Sequence, residues 1–441
     1  MMKPSVIKHI LVNLIENAAS HTDKFVNNPG KDMSRNRKCN FIDTVMLILG
    51  FENNSLKTEI ARYFTNPKKR ILKSSFVKQR AKINGDFFPW LFNSFNTAIP
   101  RPKKCKGYLL CCCDGSDLNL PPCKDDTENY VQYASKNGGY YQKHLNALFD
   151  PLNGCFLDAV IQPRPVFNEA LALSEMVSRY DSLKPTVFLA DRGYHSFNLM
   201  ATIVEKGHFF LIRTKALQSS SSFLKHLPLP SEEEFDVDVT LGLTRSRSKK
   251  YTKHPDKYKI LHTKRRFDYI DKDDYESVYE LSFRVVCVDI GGGNYEYLLT
   301  NLPRDDFSKA DLKDLYHIRW QIETAYRYIK YAFCMVYFHS RKRAFIDQEI
   351  YARLIMFNFA SALRSIAEKE LSLQKGSSKR KWEQKLSFEA IADTARQFLK
   401  TRMTNKTIKT LLLTYKSPLR PERMYPRNVK SQSSKPLNSR A

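Results

Sequence analysis

Two apolar runs in the middle of this 441-residue chain each end on an aspartate and then turn, and no other feature of the sequence limits the fold as much. YLLCCC is closed by Asp114-Gly115-Ser116, and TVFLA, residues 186–190, is closed by Asp191-Arg192-Gly193-Tyr194. Five or six consecutive apolar residues rich in β-formers or cysteine read as strands buried on both faces. A carboxylate directly after such a run stands at the end of a sheet, where side chains from neighbouring strands converge. Taken singly, either Asp also reads as a turn former before Gly. A third run, CFLDAVI at 155–161, and the amphipathic stretch NEALALSEMVSRY at 168–180 supply a further strand and a crossover helix, hence a mixed α/β layer.

Downstream, residues 207–300 alternate at period two in EFDVDVT, KYKILHT, ELSFRVVCVDI and NYEYLLT, which predicts a β-rich block. Helical stretches follow at Lys309 to about Lys330 and at Asp347 to Glu370. At about 100° per residue, Tyr316, Arg319, Glu323 and Lys330 fall at roughly 0°, 300°, 340° and 320°, on one face of the first of these helices. A solvated polar stripe, with an Arg319–Glu323 salt bridge, a free Lys330 and a half-buried Tyr316, produces the same geometry.

The formal charge of +26 demands a polyanionic partner, because such a surface otherwise repels itself. Residues 1–105 carry a net +12 and residues 361–441 a net +13, which leaves +1 for the centre. Basic flanks around a balanced middle suit an enzyme acting on nucleic acid. In the first flank, Asn54 to Phe64 and Ser74 to Ile83 read as short helices across the turn TNPKKR, with Asn54 or Ser55 and Ser74 or Ser75 as N-caps. They suggest a helix-turn-helix offering Lys78, Gln79, Arg80 and Lys82 to DNA; two solvated helices of a bundle fit equally. From Lys416 the polar, proline-containing sequence predicts a disordered tail. Nine cysteines without metal-ligand spacing read as small buried hydrophobes of a reducing compartment. The first 20 residues read as an amphipathic helix interrupted by Lys8 and Glu16, and no segment reaches a membrane span, so a soluble, cytoplasmic protein with no membrane partner is expected.

Asp114-Gly-Ser, Asp191-Arg-Gly-Tyr, the run YLLTNLP and the spacing of Tyr316, Arg319, Glu323 and Lys330 together resemble the insertion-sequence transposases of family four, marked by a Y-R-E-K signature around their third acidic residue. The resemblance covers about residues 40–365. It implies an RNase H-like fold shared with retroviral integrases, with a β-strand insertion between the second and third acids; the 131 residues between Asp191 and Glu323 have room for it. It also implies that Asp114, Asp191 and Glu323 are the catalytic metal ligands. Two Mg²⁺ (or Mn²⁺) ions about 4 Å apart would activate the attacking oxygen and relieve charge on the leaving one, and hard cations want such oxygen ligands. Tyr316, Arg319 and Lys330 would grip the DNA backbone near the scissile bond. In related transposases that cut through a hairpin, aromatic residues stack on a flipped base; Trp320 suits that role, or a place in the core. His144 and Asp158 read as structural.

The expected organisation is a helical DNA-binding region over 1–105, an RNase H-like catalytic core over 106–360 with a β-rich insertion at about 207–300, and a helical segment with a basic tail over 361–441. The expected partners are double-stranded DNA, both terminal inverted repeats and target, and a second copy in a homodimeric synaptic complex. A nuclease that cuts without joining, or a transposase-derived DNA-binding protein without catalysis, are the rival readings.

Overall fold

In the computed structural model, which describes residues 2–418 apart from 36, 134–137, 217–218, 220–221, 231–232 and 374–383, the run ending in Asp114 is the central strand of a large mixed sheet. This strand, β1 (Leu109–Asn119), pairs antiparallel with β3 (Gly139–Asp150), which also carries the short β2 (Tyr130–Gln132) and β4 (Cys155–Pro163). On its other side β1 pairs parallel with β5 (Thr186–Ala190), and β5 with β6 (Phe209–Thr214). The crossovers are α6 (Glu169–Arg179) before β5 and α7 (Phe197–Glu205) before β6, as parallel neighbours require. The order β4-β3-β1-β5-β6 with helices on both faces gives the mixed α/β, RNase H-like architecture expected from the sequence.

The β-rich block continues this sheet. Strands β7 (Phe235–Thr244), β8 (Tyr258–Ile260), β9 (Val278–Gly291) and β10 (Asn294–Thr300) attach through the antiparallel pair β6–β10, so ten strands form one sheet among the described residues. A single turn, α8 (Lys249–Thr252), interrupts the path from β7 to β8.

Period-two alternation explains the cysteine run. Leu110 and Cys112 enter one apolar core with Val187 and Leu189; Cys111 and Cys113 enter the other with Phe188, Met176 and Leu199. All three cysteines are fully buried, as a central strand covered on both faces demands.

The first core also holds the helices before and after the sheet. Helices α1 (Pro4–Ser20), α2 (Phe41–Leu49), α3 (Leu56–Tyr63), α4 (Lys73–Arg80) and α5 (Phe87–Ala98) share it with α9 (Lys309–Ile318), α10 (Gln321–Tyr331), α11 (Arg343–Leu373), α12 (Phe388–Lys400) and α13 (Asn405–Thr414). Polar ties cross between the two ends of the chain: Lys8 Nζ donates to the carbonyls of Phe398 and Thr401 at 2.7 Å, and Asn405 Oδ1 accepts from Ser5 N. Ser55 caps α3 as expected, but α4 begins one residue before Ser74 and has no side-chain cap. The expected tail starts with a strand: β12 (Lys416–Pro418) pairs with β11 (Gln384–Leu386), and its remaining residues, from 419 on, lie outside those described.

Candidate active site

The register of the central strands brings the two aspartates together. Leu109 pairs with Thr186 and Cys112 with Leu189, so the same offset carried two residues further sets Asp114 beside Asp191. By the pleat, Asp114 shares the face of Leu110 and Cys112, the face on which α10 packs through Ile322, Ala325, Tyr326 and Ile329. Glu323 lies in the first turn of α10, and all three carboxylates are half-buried.

The helix expected over 309–330 is broken at Arg319–Trp320. Three i→i+3 bonds, Arg319 N to Tyr316 O, Trp320 N to His317 O and Ile322 N to Arg319 O, tighten the chain there and separate α9 from α10. Residues on both sides of the break reach the carboxylates. The Tyr316 hydroxyl donates to Asp191 Oδ1 at 3.2 Å. Arg319 Nη2 donates to Glu323 Oε1 at 3.4 Å, and its Nη1 lies 3.9 Å from Asp114 Oδ2. Tyr326, which the sequence reading passed over, donates its hydroxyl to the backbone oxygen of Asp114 at 2.7 Å and so fixes β1 at this point. Three carboxylates thus face one guanidinium. Burial, with Glu323 and Glu169 as negative neighbours, pushes the Asp114 carboxyl up to about 6 against the pull of Arg319.

Behind this site, on the other face of β1, His144 stands between Asp117, at 2.6 Å, and Glu169, at 3.2 Å, and Arg164 Nε lies 2.9 Å from Asp117. A Cβ at residue 115 would fall 2.2 Å from His144 Nε2, and one at residue 193 would fall 2.9 Å from a Glu169 oxygen. Both glycines are therefore required by a close approach. Gly115 lies within β1 opposite Asn146, so the chain runs straight on past Asp114 where the sequence predicts a turn, whereas Asp191 does close β5 and Gly193 lies in a single 3-10 turn. Glu296 on β10, paired with Arg213 at 3.2 Å, is held above the usual carboxylate range by burial, with Asp191 adding to the effect. Neither Glu169 nor Glu296 lies in a local pattern that points to the site; only the packing of α6 on the sheet and the pairing of β10 with β6 bring them there.

Several expected contacts with DNA need correction. Arg80 is 1% exposed: it bonds Gln348 Oε1 at 2.8 Å, Glu349 Oε1 at 2.9 Å and the carbonyl of Phe345, so it faces α11 and not a duplex. Tyr316 and Arg319 are each 3% exposed and turn inward onto the carboxylates, which leaves no surface for gripping a backbone. Lys330 is also buried, two helical turns beyond Glu323; burial lowers its ammonium and Asp117 is the charge that opposes this. Trp320, in contrast, is 43% exposed at the break, which removes the core alternative. Lys78 is exposed on α4 and Lys82 half-buried just beyond it. Asp158 forms an ion pair with Arg179 at 2.6 Å, away from the triad.

Three carboxylates are hard oxygen donors, and with one guanidinium among them they carry surplus negative charge, so the donor chemistry fits divalent cations such as Mg²⁺ or Mn²⁺. Among the described residues no three His, Cys, Asp or Glu side chains close around a single point as an ion cage. No described helix is long and apolar enough to cross a membrane.

A family model described as "Transposase DDE domain" matches residues 106–359, more than half of the chain. No curated protein matches. Seven chains of solved structures match, among them the piggyBac transposase in a cryo-EM synaptic complex with hairpin DNA, at 8% sequence identity and a TM-score of 0.43, covering 98% of this chain and 88% of the other.

Proposed function

The chain belongs to the transposases of the DDE domain family, and from that premise we propose that it is the cut-and-paste enzyme of an insertion sequence, of the family-four, Y-R-E-K type. The observation that carries the reading is the alignment of Asp114 with Asp191 on neighbouring parallel strands, with Arg319 joining Asp114 to Glu323. Asp114, Asp191 and Glu323 would hold two Mg²⁺ or Mn²⁺ ions, which when bound lower the pKa of an attacking water or 3′-hydroxyl and relieve charge on the leaving oxygen. The residues around them fix geometry. Arg319 holds two carboxylates in one orientation, Tyr316 orients Asp191, and Tyr326 anchors the backbone of Asp114. Trp320, exposed beside this group, offers a face on which an unstacked base can lie.

The exposed cations of the basic flanks, Lys78 among them and Lys82 beside it, would grip the phosphates of terminal inverted repeats, and a second copy of the chain would hold the other end. The protein would act at the bacterial nucleoid. The test is a joining assay on a fragment bearing the inverted repeats that flank the gene. Mg²⁺-dependent cleavage followed by covalent joining of the 3′ ends to target plasmid is expected; cleavage without joining would make the protein a nuclease, and neither would leave a DNA-binding descendant.

A further inference from the structure

The near-neutral centre of the chain conceals a concentrated positive surface far from the carboxylates. Residues 245–259, from the end of β7 through α8 to β8, contain seven Lys or Arg and one acid, Asp256. Arg245 is buried, its guanidinium bonded to the carbonyls of Phe267 and Ile270, and pins the segment to the sheet. The other six, Arg247, Lys249, Lys250, Lys253, Lys257 and Lys259, are exposed, and none forms an ion pair among the described residues. The next stretch differs: residues 264–276 mix both signs, and Arg266 is paired with Asp268 at 2.8 Å. A surface of unpaired like charges raises the self-repulsion of the fold, and a polyanion relieves it.

The sheet register gives its position. Ala190, the neighbour of Asp191, is level with Ile212, Leu299, Val285 and Val237 across successive strands. From Val237, β7 runs away from the carboxylate end, and Lys259 pairs at the level of Leu243. Five strand spacings across and six residues along place Lys259 on the order of 30 Å from Asp191. That is close to one helical turn of duplex, roughly 34 Å.

We propose that this surface binds the phosphate backbone of duplex DNA without regard to sequence, about one turn from the bond that is cut. The inference rests on the DNA-cutting reading above, and extends it to a surface that cannot touch the scissile phosphate.

The test uses the full chain with Lys249, Lys250, Lys253 and Lys257 all changed to Gln, a matching set changed to Arg, and Asp114→Asn, each titrated against a 30-base-pair random-sequence duplex across a salt series. The Gln set should lower the slope of log affinity against log salt by about 3 to 4, at about 0.9 per lost phosphate contact. The Arg set should keep the wild-type slope, and no variant should melt below wild type. An unchanged slope in the Gln set would overturn the proposal, as would equal losses in the Gln and Arg sets. So would loss of binding to phosphatidylserine vesicles with duplex affinity intact, which would reassign the surface to membranes. Asp114→Asn keeps the two questions apart: it should bind duplex normally and fail to nick. If it still nicked, the catalytic assignment would fall while the salt slope alone decided the surface.

Discussion

Between α3, α4 and α11 two carboxylates, Glu59 and Glu349, meet two guanidinium groups, Arg80 and Arg353, and the imidazole of His339, none more than 6% exposed. Around Asp114 three carboxylates meet one guanidinium, and all three remain half-open to solvent. Charges sealed in with matching partners hold helices in place; ion pairs of this kind fix arrangement more than they add stability. Charges left in surplus beside an opening destabilise the empty fold and suit a ligand of opposite sign. The contrast separates scaffold from site without reference to any relative.

The largest effect expected is at the open cluster. Asp114→Asn, Asp191→Asn and Glu323→Gln should each abolish metal-dependent plasmid nicking, because the amide keeps the shape and loses the charge that a hard cation requires. Thermal stability should hold or rise, since each change removes one of several like charges. Nicking by all three variants would end the division between scaffold and site.

Next in size is Glu349→Gln, which leaves Arg80 and Arg353 buried without their shared anion. A loss of about 3 to 5 kcal/mol in urea-induced unfolding is expected, the usual cost of breaking a buried pair from one side. Specific nicking activity, scaled to the folded fraction, should stay near wild type. A large loss of activity at unchanged stability would show that the sealed cluster serves the reaction as well.

A smaller effect on turnover is expected for Arg319→Ala. It leaves the ligands in place and frees their orientation, and misplacement by about an ångström costs on the order of 10²-fold. Arg319→Lys should recover part of the loss by restoring charge near Asp114 without the planar fork. Single-turnover nicking rates at saturating Mg²⁺ measure both; full activity in the Ala variant would reduce Arg319 to packing.

The open cluster was far more legible in the sequence than the sealed one. Asp114 and Asp191 announce themselves through the apolar runs before them, and Glu323 through its spacing from Tyr316 and Arg319, all signals confined to a few residues. Arg80 was misread because its carboxylate partner is 269 residues away, and a basic helix shows nothing of what covers it. Strand β3 escaped notice because Lys143, His144 and Asn146 interrupt its apolar pattern; each is buried against a partner from another element, Asp347, Asp117 and Gln162. The break at Arg319–Trp320 has no Gly or Pro to mark it, since both residues keep right-handed helical dihedrals and only the hydrogen-bond pattern changes. Basic character averaged over long segments also hid the surface at 247–259.

The smallest effect tests the sealed cluster by pH. His339 stacks on Phe51 and stands 3.1 Å from Glu349 and 3.8 Å from Glu59; although burial works against its protonated form, the two carboxylates hold its pKa above the ordinary value. A histidine whose folded pKa exceeds its unfolded one, about 6.5, gives its full stabilisation below that unfolded value and loses it as pH rises through the folded one. Glu349 works at the other end: its neighbours lower it to about 2, so its contribution is complete above the ordinary glutamate range and is lost as pH falls toward 2. Stability should therefore decline gently as pH rises from neutral into the mildly alkaline range, by an amount shared between His339 and His144, which Asp117 and Glu169 also raise against its burial, and collapse steeply only in strong acid. His339→Gln should keep the steep acid limb and reduce the alkaline decline to the part that His144 carries, as followed by melting temperature across pH. If the alkaline decline survived the substitution undiminished, the His339 imidazole would be neutral in the folded protein. The cluster would then balance as two carboxylates against two guanidinium groups, a sharper opposite to the surplus around Asp114.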